Sequence, residues 1–335
     1  MGDVSGARIL VLALPYWGHL SACLGLAGAM AARGATATFG FAFPPPRWVL
    51  DEISGHGHRS DWSLRHVRSA LGSPARAEQW RAIVAAESEL IRACRPDVVV
   101  NDISTTAPAA ARACGVPVAS IQRCPLTWWR EALGDVQLVP HPGSWLPLPA
   151  PGVVHCRLDG ARRLGMAPAP IEPCPVVAAL NTADAEPAAL RLVLDAFEGL
   201  DHEWVVCYAH PDAVTASPRI VAWADHDTLL AGAQVLVCHG GHGLIARAIR
   251  HGVPVVVVET EEAYPAVYGA ALEAAGAGIL VRRRDQTPRA VRSAAVRAMD
   301  DPTLRDGAAR LRRSFEALPP VADALSRWLE ERACA

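Results

Sequence analysis

The chain has no lysine; all 32 of its basic residues are arginine. A P-loop sets a Lys on the β- and γ-phosphates of its nucleotide, and Schiff-base or pyridoxal-phosphate chemistry needs a Lys amine, so these classes are excluded. The nine cysteines form no C-x-x-C pair and are odd in number. That pattern reads as reduced, buried thiols in a cytoplasmic setting, with neither a zinc site nor a disulfide framework. Charge of one sign is also missing: 34 acidic residues against 32 basic ones give a net charge of −2. No general pull toward nucleic acid or anionic membrane follows. Long apolar runs are absent as well. The uncharged stretch from Ile9 to Ala32 has an apolar core of only Ile9 to Leu14, broken by Pro15-Tyr16-Trp17-Gly18-His19, so neither a leader nor a transmembrane segment is expected.

What is present is a globular composition. With 335 residues, 51% of them hydrophobic, the chain is long enough for two domains, each with its own core. Short runs such as Arg8 to Leu14, Asp97 to Asn101, Val235 to Cys238 and Pro254 to Val258 are apolar on consecutive positions, as parallel strands buried on both faces require. They alternate with helical stretches such as Ser21 to Arg33, Ala77 to Cys94 and Leu244 to His251. The βαβα pattern occurs twice, which predicts an α/β fold with a parallel sheet in each half. Nine prolines between Pro140 and Pro175 mark the seam. The expected domains are 1–165 and 166–335, with the last helix, about 321–332, packing back on the first domain.

In open parallel sheets, ligands sit beyond the carboxyl ends of strands. Two loops there stand out. One is Leu14 to His19. The other is Cys238-His239-Gly240-Gly241-His242-Gly243, whose glycines permit close backbone approach to a phosphate and whose helix-start amides and two imidazoles are donors. It matches neither G-x-G-x-x-G nor a Walker A. A plain tight turn is the alternative.

The stretch His239-Gly-Gly-His-Gly-Leu-Ile-Ala-Arg-Ala-Ile-Arg-His-Gly-Val-Pro, preceded by Trp223-Ala-Asp-His-Asp-Thr-Leu-Leu, resembles the nucleotide-sugar motif of the family-one, UDP-glycosyltransferase-like enzymes: W-x-P-Q-x-x-L-L, H-G-G-x-G-T, A-L-x-x-G-V-P. Leu14-Pro-Tyr-Trp-Gly-His-Leu-Ser-Ala-Cys-Leu-Gly-Leu-Ala is similar to its N-terminal P-x-x-G-H segment, and Arg95-Pro-Asp-Val-Val-Val-Asn-Asp102 to its P-D-x-v-v-x-D segment. The resemblance implies a GT-B fold, two Rossmann-like domains facing across a cleft, and an inverting, metal-independent glycosyltransferase of the bacterial natural-product type. It would move a sugar from a TDP- or UDP-sugar to a hydroxyl or amine of a small, largely apolar acceptor. His19 would be the general base and Asp102 the carboxylate that holds its other ring nitrogen. On the donor side it implies base stacking on Trp223, diphosphate contacts from Asn181, Thr182, His239, Gly240, Gly241, His242 and Gly243, and sugar contacts from Glu262. Trp17, Trp62 and Trp128 would wall the acceptor pocket, although core packing explains such tryptophans equally well.

The departures are as informative. Leu244 replaces the family hydroxyl, Arg247 stands where many relatives have a ribose-binding Glu, and Glu259 to Tyr264 replaces the D-Q pair. Loss of the Glu favours a deoxyribose nucleotide. Two alternatives stay open: a noncatalytic partner with a degenerate donor site, or a nucleotide-sugar epimerase or hydrolase. The partners expected are a small-molecule acceptor and a nucleotide-sugar donor as co-substrate, with no separate cofactor, no metal and no nucleic acid. A homodimer is also left open. Asp225-His226-Asp227 spells D-x-D but falls on the W-x-P-Q position, which argues against a metal role.

Overall fold

The computed structural model describes residues 4–41, 45–62, 76–124, 133–164, 172, 174–180, 187–208 and 219–334. The chain divides into two compact units. The first comprises Met1–Pro142, Pro147–Gly165 and Leu318–Ala335. Its described strands are β1 (Arg8–Leu12), β2 (Thr36–Phe41), β3 (Arg59–Trp62), β4 (Val98–Asp102), β5 (Val118–Ile121), β6 (Val136–Val139) and β7 (Val153–His155). They form one sheet in the order β3-β2-β1-β4-β5-β6-β7, with every neighbouring pair parallel. Helices α1 (Trp17–Ala31), α2 (Arg47–Gly55), α3 (Arg76–Cys94) and α4 (Ala107–Ala113) connect the strands. All five residues of β4 are buried, the consequence of helices on both faces of a parallel sheet.

The second unit comprises Gly143–Leu146 and Met166–Ala317. Its strands are β8 (Val176–Ala179), β9 (Trp204–Cys207), β10 (Ile220–Val221), β11 (Val235–Cys238), β12 (Val255–Val258) and β13 (Gly278–Val281). They pair in parallel in the order β10-β9-β8-β11-β12-β13. Its helices are α5 (Pro187–Phe197), α6 (His226–Gly232), α7 (His242–Arg250), α8 (Ala263–Ala274), α9 (Pro288–Asp300) and α10 (Pro302–Glu316). Trp145, only 5% exposed, stacks on Tyr268 at 5.9 Å and tilts against Phe315 at 5.6 Å, which accounts for the short insertion Gly143–Leu146 in this unit.

The last helix, α11 (Val321–Ala333), is part of the first unit. Val321, Ala322, Ala324 and Leu325 join Ile9, Leu20 and Met30 in one core. The chain is led there by backbone bonds from Arg157 N to Pro319 O (2.7 Å) and from Val321 N to Arg157 O (2.8 Å), and Arg33, in the turn after α1, pairs with Asp323. Among the described residues, no helix is long and apolar enough to cross a membrane.

Both sheets are doubly wound. In the first, strand order reverses between β1 and β4; in the second, between β8 and β11. Crevices outside such reversal points, at the carboxyl ends of the strands, are where ligands bind in open α/β sheets. The residues that follow β1, β4 and β11 are therefore the ones that bear on function.

Candidate functional site

The first reversal point brings His19 and Asp102 together. The sequence reading began the helix at Ser21; it actually starts at Trp17, so His19 lies in the first turn of α1 rather than in the preceding loop. Asp102 ends β4, beside Leu12 and Asn101 in the β1–β4 register. His19 Nδ1 lies 2.9 Å from Asp102 Oδ2, with the carboxylate fully buried and the imidazole partly open. Two further groups hold the carboxylate: Arg123 donates Nη1–H to Oδ1, and the Cys23 thiol, one helical turn along from His19, lies 3.7 Å from Oδ2. Burial alone would raise the Asp102 pKa, but the Arg123 and His19 charges outweigh it and hold the carboxyl well below the usual carboxylate range. Burial and the Asp102 charge push the Cys23 pKa far up, so it stays a thiol. With Nδ1–H donated to Asp102, the lone pair of Nε2 is the one available to take a proton.

The turn after Asp102 is strained. Ile103 has φ +61°, a conformation costly for a β-branched residue, at about 1–2 kcal/mol. Asn101 enforces it, accepting from Ser104 N at 3.0 Å and donating to Ser104 O at 2.9 Å. Ser104 Oγ in turn accepts from the amides of Thr106 and Ala107 and donates to Glu87 Oε1 at 3.4 Å. Glu87, on α3, is 4% exposed, and its Oε2 has no hydrogen-bond partner among the described residues. Burial raises its pKa to about 7, against weaker opposition from Thr106 and Ser104.

Because the unfolded side chain ionises at the ordinary carboxyl value, the folded protein binds the extra proton between the two. Stability therefore falls as pH rises through that window and stays lower above about 7. Glu87→Gln is expected to raise stability at pH 8 by up to about 3 kcal/mol and to change it little at pH 4.5. Thermal melts of both proteins at the two pH values check this; an equal difference at both would contradict it.

At the second reversal point, β11 runs into the turn His239-Gly240-Gly241 and then α7. Gly240 has φ +94°, and a Cβ there would meet Pro265 Cα at 2.9 Å. A Cβ on Gly241 would meet His239 Nε2 at 2.9 Å, so the imidazole is folded against bare backbone. A Cβ on Gly243 would meet nothing within 4 Å. The first intrahelical bonds of α7 are Leu244 N and Ile245 N to Gly241 O, which leaves the amides of His242 and Gly243 ahead of them at the positive end of the helix. His239 Nδ1 is enclosed and makes no aligned hydrogen bond. Burial lowers the pKa of His239, with the nearby Glu262 carboxylate acting the other way.

Other predicted residues fall variously. His242 is 8% exposed, and its ring packs on Tyr268 (5.6 Å) and Trp145 (6.2 Å) in an aromatic cluster, so from this residue the backbone amide is the group the turn presents. Trp223 is half-buried just before α6, edge-on to His226 at 6.1 Å. Glu262 is exposed at the start of α8, whereas Glu259 and Glu261 are taken up by the Arg283 amide and guanidinium. Trp17 is half-buried, with the Arg163 guanidinium 5.5 Å from its ring and 4.9 Å from that of Trp48. Trp62 closes β3, but its side chain lies outside the described residues, as do Trp128, Asn181 and Thr182 altogether.

Asp225 caps α6, accepting from Asp227 N, and Asp227 pairs with Arg247 (2.9 Å) and His251 (3.1 Å). Arg123 and Glu87 were not singled out by sequence reasoning. The only trace of Arg123 is a charged residue two positions beyond the apolar strand β5, at the carboxyl end of the strand.

Residues 191–330 match the family described as the C-terminal domain of erythromycin biosynthesis protein CIII-like proteins. Over 142 residues the chain is 34% identical to 4'-demethylrebeccamycin synthase of Lentzea aerocolonigenes, covering 40% of this chain and 33% of that protein. It is 32% identical to erythronolide mycarosyltransferase of Saccharopolyspora erythraea over 39% of this chain and 32% of that one. These matches thus span about a third of the curated relatives' length. A solved spinosyn rhamnosyltransferase in complex with thymidine diphosphate superposes with a TM-score of 0.72 at 21% identity, covering 96% of this chain and all of that one. Two parallel-sheet α/β units with this likeness make the fold GT-B.

Proposed function

We propose, for a GT-B chain whose residues 191–330 match the erythromycin CIII-like C-terminal domain, that the protein is an inverting, metal-independent glycosyltransferase acting on a nucleoside-diphosphate sugar and a small, largely apolar acceptor. The observation that carries the reading is the His19–Asp102 pair, at 2.9 Å, at the strand-order reversal of the first sheet. His19 Nε2 takes the proton from an acceptor hydroxyl or amine as that atom bonds to the anomeric carbon. The bond from that carbon to the diphosphate breaks, its electron pair leaving with the nucleotide; a single displacement of this kind inverts the anomeric centre. The amides of the His239–Gly243 turn, the positive end of α7 and His239 stabilise the charge that builds on the departing diphosphate.

The nucleotide we assign is TDP rather than UDP. Arg247 stands where many family-one enzymes hold the ribose with a Glu, and the neighbouring Asp227 carboxylate is taken up by Arg247 and His251, which disfavours a carboxylate contact to a 2'-hydroxyl. The relatives with sugar-transferase names, and the likeness to a TDP-bound rhamnosyltransferase, support the reading. Calorimetric titration is expected to show saturable TDP binding, tighter than UDP, without added divalent metal. Incubation of a TDP-sugar alone should leave it intact, which separates transfer from epimerisation or hydrolysis. Leu244, in place of the phosphate-binding hydroxyl, favours a second reading, a noncatalytic partner with a degenerate donor turn; absence of saturable binding by either nucleotide would select it.

A further inference from the structure

We propose that Arg123 is a positioning residue that keeps His19 in its proton-accepting form by balancing the buried Asp102 charge. The inference rests on the reading of His19 as the base and deepens it. Arg123 lies two residues beyond β5, whose Ile121 is in register with Asp102. Its main chain is pinned there by His141, which donates Nε2–H to the Arg123 carbonyl at 3.1 Å and is itself held by His155, whose Nδ1–H donates to the His141 carbonyl at 2.7 Å. Its side chain, 8% exposed over the residue, places Nη1 on Asp102 Oδ1 and 3.2 Å from His19 Nδ1. In the tautomer that donates Nδ1–H to Asp102, Nδ1 has no lone pair left to accept from that guanidinium nitrogen. The guanidinium is a fixed positive charge beside the ring.

Among the described residues, the charged groups in contact with His19 are Asp102 from β4 and Arg123 from the end of β5, while the neutral thiol of Cys23 from α1 lies against Asp102. The positive end of α1 also acts on His19. A carboxylate and a guanidinium sum to zero when the imidazole is neutral and leave one net positive charge at the site when it is protonated. A His–Asp pair without the arginine has the opposite preference: the imidazolium form is the one that cancels the buried carboxylate. Arg123 satisfies Asp102 while leaving Nδ1–H oriented and Nε2 empty. His141, which anchors it, has its pKa pushed down to about 4 by burial and adds no charge around neutrality.

The test is the pH dependence of transfer by the full chain, with TDP-sugar and acceptor saturating. Arg123→Gln keeps an amide donor for Asp102 and removes the charge. Its acidic limb, where rate is lost as the base protonates, is expected to move to higher pH by about 1–3 units. Arg123→Lys restores a charge and should return the limb toward that of the unsubstituted protein. A purely structural role would lower the rate equally at all pH values and leave the limb in place; that result in Arg123→Gln overturns the proposal.

Nitrogen-15 imidazole spectra of the unsubstituted chain at pH 7.5, with the His19 signal identified by its loss in His19→Gln, give a second readout that needs no folded Arg123 variant. Nδ1 protonated with Nε2 bare supports the proposal, and an imidazolium contradicts it. Retained activity in His19→Ala would instead defeat the underlying base assignment, an outcome distinct from either of these.

Discussion

Transfer by His19→Ala is expected to be about 10²–10⁴-fold slower than by the unsubstituted chain, with TDP affinity unchanged. The size follows from what the imidazole does. An acceptor hydroxyl is a poor nucleophile until its proton leaves, and a positioned base contributes that factor by taking the proton as the new bond forms. The separation of effects follows from the fold. His19 belongs to the first turn of α1, at the reversal point of the first sheet, whereas the diphosphate is assigned to the turn between β11 and α7 of the second. The imidazole is partly exposed, so its removal opens no large cavity in the core. Steady-state rates and a nucleotide titration on the same preparation check both halves. Unchanged turnover removes the general-base role, and parallel loss of nucleotide binding removes the division of labour.

The second large effect is expected at Gly240. A side chain there meets two obstacles, a left-handed backbone at φ +94° and the Pro265 Cα at 2.9 Å. Pro265 lies in the first turn of α8 and is buried, so it has little room to yield. Gly240→Ala therefore rebuilds the turn. With two amide contacts displaced, at about 1–1.5 kcal/mol each, TDP binding should weaken by about 10²-fold, with a lower melting temperature. Gly243→Ala is the informative contrast. Nothing lies within 4 Å of its Cβ, so the fold should be unaffected and any loss of TDP affinity would come from the ligand side alone. Equal melting temperatures for Gly240→Ala and the unsubstituted chain would show that the glycine is not required by the turn.

Much of this architecture is legible in the residues. Val98 to Val100 and Val255 to Val258 are apolar at consecutive positions because both sheet faces are covered, and both are found as buried parallel strands. The start of α1 was misplaced for a physical reason: its N-cap is Tyr16, which makes no side-chain cap bond, so the usual Ser, Thr, Asp or Asn signal is missing. Helix α10 carries Gly307 inside its helical pattern. There the glycine serves packing, since its Cβ would fall 1.8 Å from the Gly276 carbonyl oxygen. Strand β10 has only two residues and is held by pairing with β9, which no local pattern reveals. In the candidate site, loop chemistry and resemblance single out His19, Asp102, His239 and Gly240. The inward turn of His242 depends on Trp145 and Tyr268, the former some 100 residues away in sequence, and Arg123 on a strand register, so neither was readable locally.

The proposed mechanism requires a nucleoside diphosphate held by the turn between β11 and α7, and a crystal structure with TDP is its sharpest test. The account places pyrophosphate oxygens about 2.7–3.2 Å from the amides of His239 to Gly243 and from the His239 ring, with the thymine face on Trp223. TDP lodged elsewhere, or a turn left empty at saturating nucleotide, would contradict it.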